Sequence, residues 1–388
     1  MKDINKIGIV AMPRISVGGG FARVTIDIIN ALSSMNKKIY LLTPFEVDMD
    51  KIKDLYGTIK IKKIFYPNKI KSFFSREEIL GRKLIKREFI KMTKEVDFII
   101  DMDGGVLHRY LPKKFNKSRY IIWRVSCINP DTYKMQEVKN PKTLVKIRIK
   151  KIIKKLITNK KDIPKNVKIY PLDEWTKREI IKFWKVNPEK MCLYPEIKVN
   201  EFRANGKKEN LIAVLGRITP NKSIDNSIKI FAEGTKKYSY YKIIILGGVT
   251  PDSENYIDYL NSLTENLGIK DKVKIIKDPS FNKIKEVLSK SKIIIDSQRG
   301  VSLTMTAIEA LAAGCIVLAH KTGGTYTEVL ENGKYGYGFE SVGEGSRNLR
   351  EILEKVAKKK INIEKFVNRA KFFSSEKFKE RLGGIING

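Results

Sequence analysis

Two basic residues, Arg217 and Lys222, stand in the segment Gly216-Arg217-Ile218-Thr219-Pro220-Asn221-Lys222. The apolar run Leu211-Ile212-Ala213-Val214-Leu215 precedes this segment and a helical pattern from about Ile224 follows it. The pair therefore falls at the carboxyl edge of a sheet, where open α/β sheets take their ligands. Two fixed cations at that edge can clamp a diphosphate and stabilise the negative charge that develops as it leaves. The plainer alternative is two solvated basic residues in a lysine-rich chain. A second loop running into a helix, Val301 to Leu311, offers the backbone N–H groups around Thr304, Met305 and Thr306 to phosphate oxygens. Glu309 lies about one turn inside this otherwise apolar segment, where an unpartnered carboxylate is costly to bury. Ribose hydroxyls are one natural partner for it and a neighbouring lysine is another.

Asp48-Met49-Asp50 and Asp101-Met102-Asp103 share the spacing with which some carboxylate pairs chelate a divalent cation. Aspartates two apart also arise by chance, and no metal is expected. His320 ends a strand before the pair Gly323-Gly324, a place that suits a structural histidine as well as one near a ligand.

The elements that must position these residues follow an alternating β-α pattern. Lys6 to Met12 reads as a strand, Gly18-Gly19-Gly20 as a turn and Arg23 to Leu32 as a helix. Lys38 to Leu42, Ile59 to Phe65, Phe98 to Ile100 and Tyr120 to Trp123 read as further strands of the same sheet. A second cycle starts at Leu211, with strands at Lys242 to Leu246, Val273 to Ile276, Lys292 to Ile295 and Cys315 to Leu318. Helices fall between them at Glu254 to Leu267, Asn282 to Leu288 and Thr306 to Ala312. The expectation is two Rossmann-like domains with parallel sheets, residues 1–200 and 206–362, and a helical tail over 363–388 that crosses back to the first domain. A length of 388 residues suits two such domains.

The order and spacing of these segments have a precedent. Gly216-Arg217-x4-Lys222, then Ile308-Glu309-Ala310-Leu311-Ala312-Ala313-Gly314, then Gly323-Gly324 followed by Glu328 and Gly333, resemble glycosyltransferase family 4, which has the GT-B fold. Ala319-His320-Lys321-Thr322-Gly323-Gly324 resembles the branch of that family containing the α-1,2-mannosyltransferase of dolichol-linked oligosaccharides. Asp97 to Gly104, Glu174-Trp175-Thr176 with Trp184, and Tyr194-Pro195 look like the same branch. The resemblance implies retaining transfer of a hexose, mannose or glucose, from a GDP- or UDP-linked donor without a metal. By that likeness Arg217, Lys222 and Glu309 form the catalytic set, the first two on the diphosphate and the third on the ribose. Gly216, Thr304, Met305, Thr306 and Lys277 would also bind the donor, with Lys277-Asp278-Pro279 bordering the base. Gly18, Gly19 and Gly20 would line the cleft opposite, and the departing phosphate would act as the base.

Two departures bear on activity. The first glutamate of the family's E-x7-E motif is Val301 here, at the position that normally faces the donor sugar. Trp123-Arg124 stands where a histidine-bearing strand end is common in relatives, which leaves His108 and Arg124 as acceptor-side candidates.

Charge points to a surface as well as a site. Lys and Arg number 77 against 43 Asp and Glu, a formal net charge of +34, so an anionic partner is implied. Leu144 to Ile157 alternates apolar Val145, Ile149, Ile152, Ile153 and Leu156 with lysines at helical spacing, the pattern of a helix lying on an anionic membrane, and Ile70 to Phe89 is a second such stretch. No signal sequence or membrane-spanning run is read, and Cys127, Cys192 and Cys315 form no C-x-x-C pair. These features place the chain in the cytoplasm, peripheral on the inner face of the cell membrane, acting on a lipid-linked or other glycan acceptor. A nucleic-acid-binding protein is the reading from charge alone, but no nucleic-acid module or stacking aromatics accompany the basic runs. A relative weakened by Val301 that binds nucleotide or glycan without transfer is the other alternative, ahead of a sugar-nucleotide epimerase.

Overall fold

The computed structural model of the chain describes residues 4–12, 15–17, 19–67, 79–102, 106–125, 167–202, 207–250 and 253–387. Gly18, Asp103, Cys127 and the amphipathic stripe 144–157 lie outside the described residues, as does 70–78 of the second basic stretch. The chain divides into two units. The first holds the described residues up to Glu196 together with those from Phe378 onward, and the second holds Ile197–Lys377.

The first unit is built on six parallel strands: β1 (Lys6–Val10), β2 (Lys38–Leu42), β3 (Lys63–Phe65), β4 (Phe98–Asp101), β5 (Tyr120–Arg124) and β6 (Lys168–Pro171). Their order in the sheet is β3-β2-β1-β4-β5-β6. Strands covered on both faces need continuous apolar runs, and β1, β2 and β4 supply them, with Ile7, Ile9, Leu41, Leu42, Ile99 and Ile100 fully buried. Helix α1 (Gly20–Ser34) covers one face with Ile26, Ile28, Ile29 and Leu32. Phe89 and Met92 of helix α3 (Ile79–Met92) join Tyr120, Ile122 and Ile180 in a core cluster of the same unit. Helix α2 (Met49–Tyr56) lies between α1 and α3, and a short helix α4 (Glu174–Glu179) follows β6.

The second unit repeats the plan with β7 (Leu211–Leu215), β8 (Lys242–Gly247), β9 (Val273–Lys277), β10 (Ile293–Asp296), β11 (Ile316–His320) and β12 (Tyr337–Phe339), all parallel. Helices α5 (Ile224–Gly234), α6 (Glu254–Asn266), α7 (Phe281–Lys290), α8 (Met305–Ala312), α9 (Val342–Ala357) and α10 (Ile363–Lys371) connect or flank them. The sheet order, β12-β11-β10-β7-β8-β9, is the first unit's order counted from the other edge. In each sheet the first and fourth strands are neighbours, and the connections leave in opposite directions from between them. A crevice therefore opens at the carboxyl ends of these two strands, β7 and β10 in the second unit.

Several elements were not apparent in the sequence pattern. Strands β6 and β12 and helix α9 join the expected ones, and the tail is two helices, α10 and α11 (Ser375–Asn387), rather than one. Helix α11 passes from the second set of residues to the first. There Phe378 packs on Trp123 with ring centroids 5.8 Å apart, and the Arg381 guanidinium lies over Tyr194.

A half-buried cation helps close the second unit. Lys208 Nζ donates to the carbonyls of Leu288, Ser291 and Ala313 at 3.1, 2.7 and 2.7 Å, so one ammonium satisfies groups at the carboxyl ends of α7 and α8. Glycine is required where β8 meets the turn after β7. A Cβ on Gly247 would lie 1.8 Å from the carbonyl oxygen of Gly216, whose own φ is +149°. Replacing Gly247 by alanine should cost about 2–3 kcal/mol, the range for forcing atoms into a filled site. Chemical denaturation checks this, and an unchanged midpoint would show that the two segments separate freely.

Candidate functional site

At the carboxyl end of β7 the chain turns through Gly216 and Arg217 and reaches Lys222 in a single 3-10 turn, Pro220–Lys222. The buried side chain of Ile218 anchors that turn, and its N–H donates to the carbonyl of Gly248 at 3.0 Å. Arg217 is left exposed, while Lys222 is turned inward. Lys222 Nζ donates to Gln298 Oε1, which comes from the loop after β10. This hydrogen bond spans the crevice between the first and fourth strands of the unit's sheet. Burial pushes the Lys222 amine below the ordinary lysine range, the charge of Asp296 opposes that shift, and Arg217 adds to it.

The loop after β10 is held to the loop after β11 by several hydrogen bonds. Gly300 N–H donates to Thr322 Oγ1 at 3.1 Å, Gly324 N–H to the Val301 carbonyl at 2.8 Å, and Thr304 N–H to Thr325 Oγ1 at 3.1 Å. Gly300 takes φ +58°, a conformation that favours glycine. Asp296, the last residue of β10, accepts from Thr304 Oγ1 at 2.8 Å and from Thr325 Oγ1 at 3.3 Å. Thr304 occupies the N-cap of α8, yet its hydroxyl makes no capping bond to that helix. The first-turn amides at Met305 and Thr306 therefore have no side-chain cap from Thr304 and are disposed to meet an anion. Helix α5 also starts without a side-chain cap, at Ser223 immediately after Lys222.

Glu309 is 1% exposed, on the same helix as these amides. Lys277 ends β9 at the same sheet edge, where its ammonium pairs with both carboxylate oxygens of Glu254 at 3.1 and 2.8 Å. Asp278 beside it accepts from Val249 N–H at 3.0 Å. The structure thus brings Gly216, Arg217, Lys222, Thr304, Met305 and Thr306 to the carboxyl ends of β7 and β10, and Lys277 to that of β9.

His320 is buried at the end of β11. Its Nδ1 accepts from Thr322 N–H at 3.3 Å and meets Thr322 Oγ1 at 2.9 Å, which assigns the ring proton to Nε2. Burial and the neighbouring Arg299 push its pKa down, so it is neutral at pH 7. Asp296, Gln298 and Thr325 were missed in the sequence pattern.

In the first unit, Gly19 caps α1 with φ +99° and Gly20 begins that helix. His108 lies on the 3-10 turn Val106–Tyr110. Arg124 ends β5 with its guanidinium 5.0 Å from the ring centroid of Trp184, and Trp123 beside it donates from Nε1 to the Leu193 carbonyl at 2.9 Å. The two D-x-D segments have other uses. Asp48 caps α2 by accepting from Lys51 N–H at 2.9 Å, and Asp101 accepts from the Tyr120 hydroxyl. Among the described residues no cluster of three or more His, Cys, Asp or Glu is arranged to hold a metal, and no helix is long and apolar enough to cross a membrane.

Residues 197–372, nearly the whole second unit, match the family model described as Glycosyl transferases group 1. The chain is 28% identical over 206 residues to the GDP-Man:Man(3)GlcNAc(2)-PP-Dol alpha-1,2-mannosyltransferase of Mus musculus, a match that covers 49% of this chain and 42% of that protein. It is 30% identical over 159 residues to the O-antigen chain mannosyltransferase RfbU of Salmonella typhimurium, covering 40% of this chain and 42% of that one. The chain thus spans less than half the length of these relatives. Among solved structures, the sucrose-phosphate synthase of Thermosynechococcus elongatus aligns with a TM-score of 0.73 at 14% identity, covering 99% of this chain and 98% of that one. Anabaena HepE in complex with UDP aligns with a TM-score of 0.73 at 12% identity, covering 99% and 100%. At such identities the likeness concerns the fold, which is GT-B. Residues 197–372 are thus similar to the group 1 glycosyl transferases, glycosyltransferase family 4, in a chain whose fold is GT-B.

Proposed function

We propose that the protein is a retaining glycosyltransferase that moves a hexose, mannose or glucose, from a nucleotide-sugar to a lipid-linked or other glycan acceptor. The observation that carries this reading is the pair Arg217 and Lys222 beside the uncapped start of α8, at the carboxyl ends of β7 and β10. That arrangement suits a diphosphate, whose charge grows as its bond to the sugar breaks. Glu309 is assigned to the ribose and Lys277 to the rim of the base site. In the step proposed, the bond from the anomeric carbon to the diphosphate oxygen breaks and the acceptor oxygen bonds on the same face of the sugar. The acceptor proton passes to the departing phosphate, so no side-chain nucleophile is required. Mannose is favoured by the two mannosyltransferase relatives, and GDP by the donor in the name of the murine one. UDP is the nucleotide bound to HepE.

The acceptor side is assigned to the first unit, with Gly18, Gly19, Gly20, His108 and Arg124 as its candidate residues. The net charge of +34 supports work at the anionic inner face of the cell membrane. Val301 motivates a second reading, a relative that binds nucleotide without transferring sugar.

Calorimetric titration with GDP and UDP, without divalent metal, tests the central claim. One nucleotide should bind, and Lys222→Ala should weaken it at least tenfold, about 1.4 kcal/mol. Absence of binding by both nucleotides would remove the donor-site assignment. The affinity should also depend on pH. A bound anion raises the Lys222 pKa, so affinity is full below the amine's lowered pKa in the free protein and declines as pH rises through it, starting below the ordinary lysine value of about 10.4. Titrations across the alkaline range check this sign. Val301→Glu should give no gain in transfer rate to a glycan acceptor, and a large gain would favour the second reading. The full chain should co-sediment with vesicles rich in anionic phospholipid at low salt and be released as salt rises. Sedimentation equal with neutral vesicles would count against the membrane assignment.

A further inference from the structure

The neighbourhood of Lys222 contains one carboxylate whose geometry has a double effect. Asp296 sits at the end of β10, at the crevice where the second unit's sheet reverses direction. Its Oδ1 accepts from the backbone N–H of Gln298 at 3.2 Å, which fixes the residue whose Oε1 receives Lys222 Nζ. Its Oδ2 accepts from the hydroxyls of Thr304 and Thr325 at 2.8 and 3.3 Å. A threonine at an N-cap ordinarily spends its oxygen on the helix's first N–H groups. Here that hydroxyl is directed at Asp296, and the cap bond is not made.

We propose that Asp296 is the positioning residue of the diphosphate site: it orients Lys222 through Gln298, keeps a countercharge beside it, and diverts the Thr304 hydroxyl from the amides of α8. The proposal rests on the nucleotide-sugar reading above. Neither the family match nor the chemistry of the two cations assigns Asp296 a role, and the residue would not touch the donor itself.

The charges around this pair sit on identifiable elements, Glu340 after β12 among them. Arg217, on the same turn as Lys222, lowers the amine's pKa along with burial, and Asp296 from β10 raises it. On its other side Asp296 acts on His320 of β11, which Arg299 also faces. Loss of the Asp296 charge leaves Lys222 with burial and Arg217 alone, both favouring the neutral amine. Such a site would release its anion at lower pH.

Asp296→Asn keeps the shape and removes the charge. The bonds from Gly300 N–H to Thr322 and from Gly324 N–H to Val301 do not involve Asp296, so the loops retain ties in the variant. The state of Lys222 can be read without any nucleotide, from its acetylation by acetic anhydride at a series of pH values, followed by mass spectrometry on the full chain. The midpoint for Lys222 should fall by about one pH unit in Asp296→Asn. GDP or UDP affinity at pH 8 should fall by about tenfold, with its alkaline limit shifted in the same direction. Thr304→Val keeps the charge while removing one bond to Asp296, and should leave the Lys222 midpoint in place. If the wild type binds a nucleotide and Asp296→Asn leaves the midpoint where it was, Asp296 only pins the loops and the proposal is overturned while the donor reading stands. If the wild type binds neither nucleotide, the donor reading falls and the assignment of Asp296 falls with it.

Discussion

The positive charge of Lys222 has to be held at a sheet edge where burial disfavours it, and much of the second unit's architecture bears on that one difficulty. An ammonium removed from water needs acceptors and a countercharge. Gln298 supplies an acceptor and Asp296 the countercharge, and both come from the strand across the crevice from β7. The doubly wound strand order makes this possible, because it seats β10 beside β7 although these strands are far apart in the chain. A simple meander of strands would not set those two loops against each other.

The same economy is visible in the backbone. Gly247 allows β8 to approach the turn at Gly216, and Ile218 anchors that turn so that Arg217 projects outward while Lys222 folds in. Helix α8 begins without a side-chain cap from Thr304, whereas at the start of α5 the Asp225 N–H donates to the Tyr256 hydroxyl. Uncapped amides normally represent a small loss of stability. At α8 they coincide with a cationic pair at a strand-order reversal, and the loss is the counterpart of a prepared electrostatic environment.

The legibility of these features in the sequence follows their physics. β1, β2, β7, β8 and β10 are runs of isoleucine, valine and leucine covered on both faces, and such runs are visible without context. β12 is Tyr337-Gly338-Phe339 and β6 ends in proline, so neither carries that pattern, and both depend on a neighbouring strand. Helix α9 opens with glycines at 343 and 345, which hid an otherwise amphipathic segment capped by Ser341. Arg217 and Lys222 could be placed at the sheet edge because they stand between an apolar strand and a helix. Asp296 was not, since a single aspartate ending a strand acquires meaning only from Thr304, Thr325 and Gln298 around it. Lys277 was placed by position along the chain, but its pairing with Glu254 depends on where α6 begins.

The passage of helix α11 into the first unit has a consequence for biosynthesis. Phe378, Leu382, Ile385 and Ile386 are buried, and Phe378 packs on Trp123, so that unit's packing is incomplete until residues 378–387 have been made. At about 5–20 residues per second, a ribosome needs on the order of ten to fifty seconds to get from Trp123 to Phe378. During that interval the indole face awaits its partner, while the second unit, continuous from Ile197 to Lys377, is being made. The earlier half of the nascent chain would thus hold its core open while the whole of the later half is made, and would be the one longer exposed to chaperones.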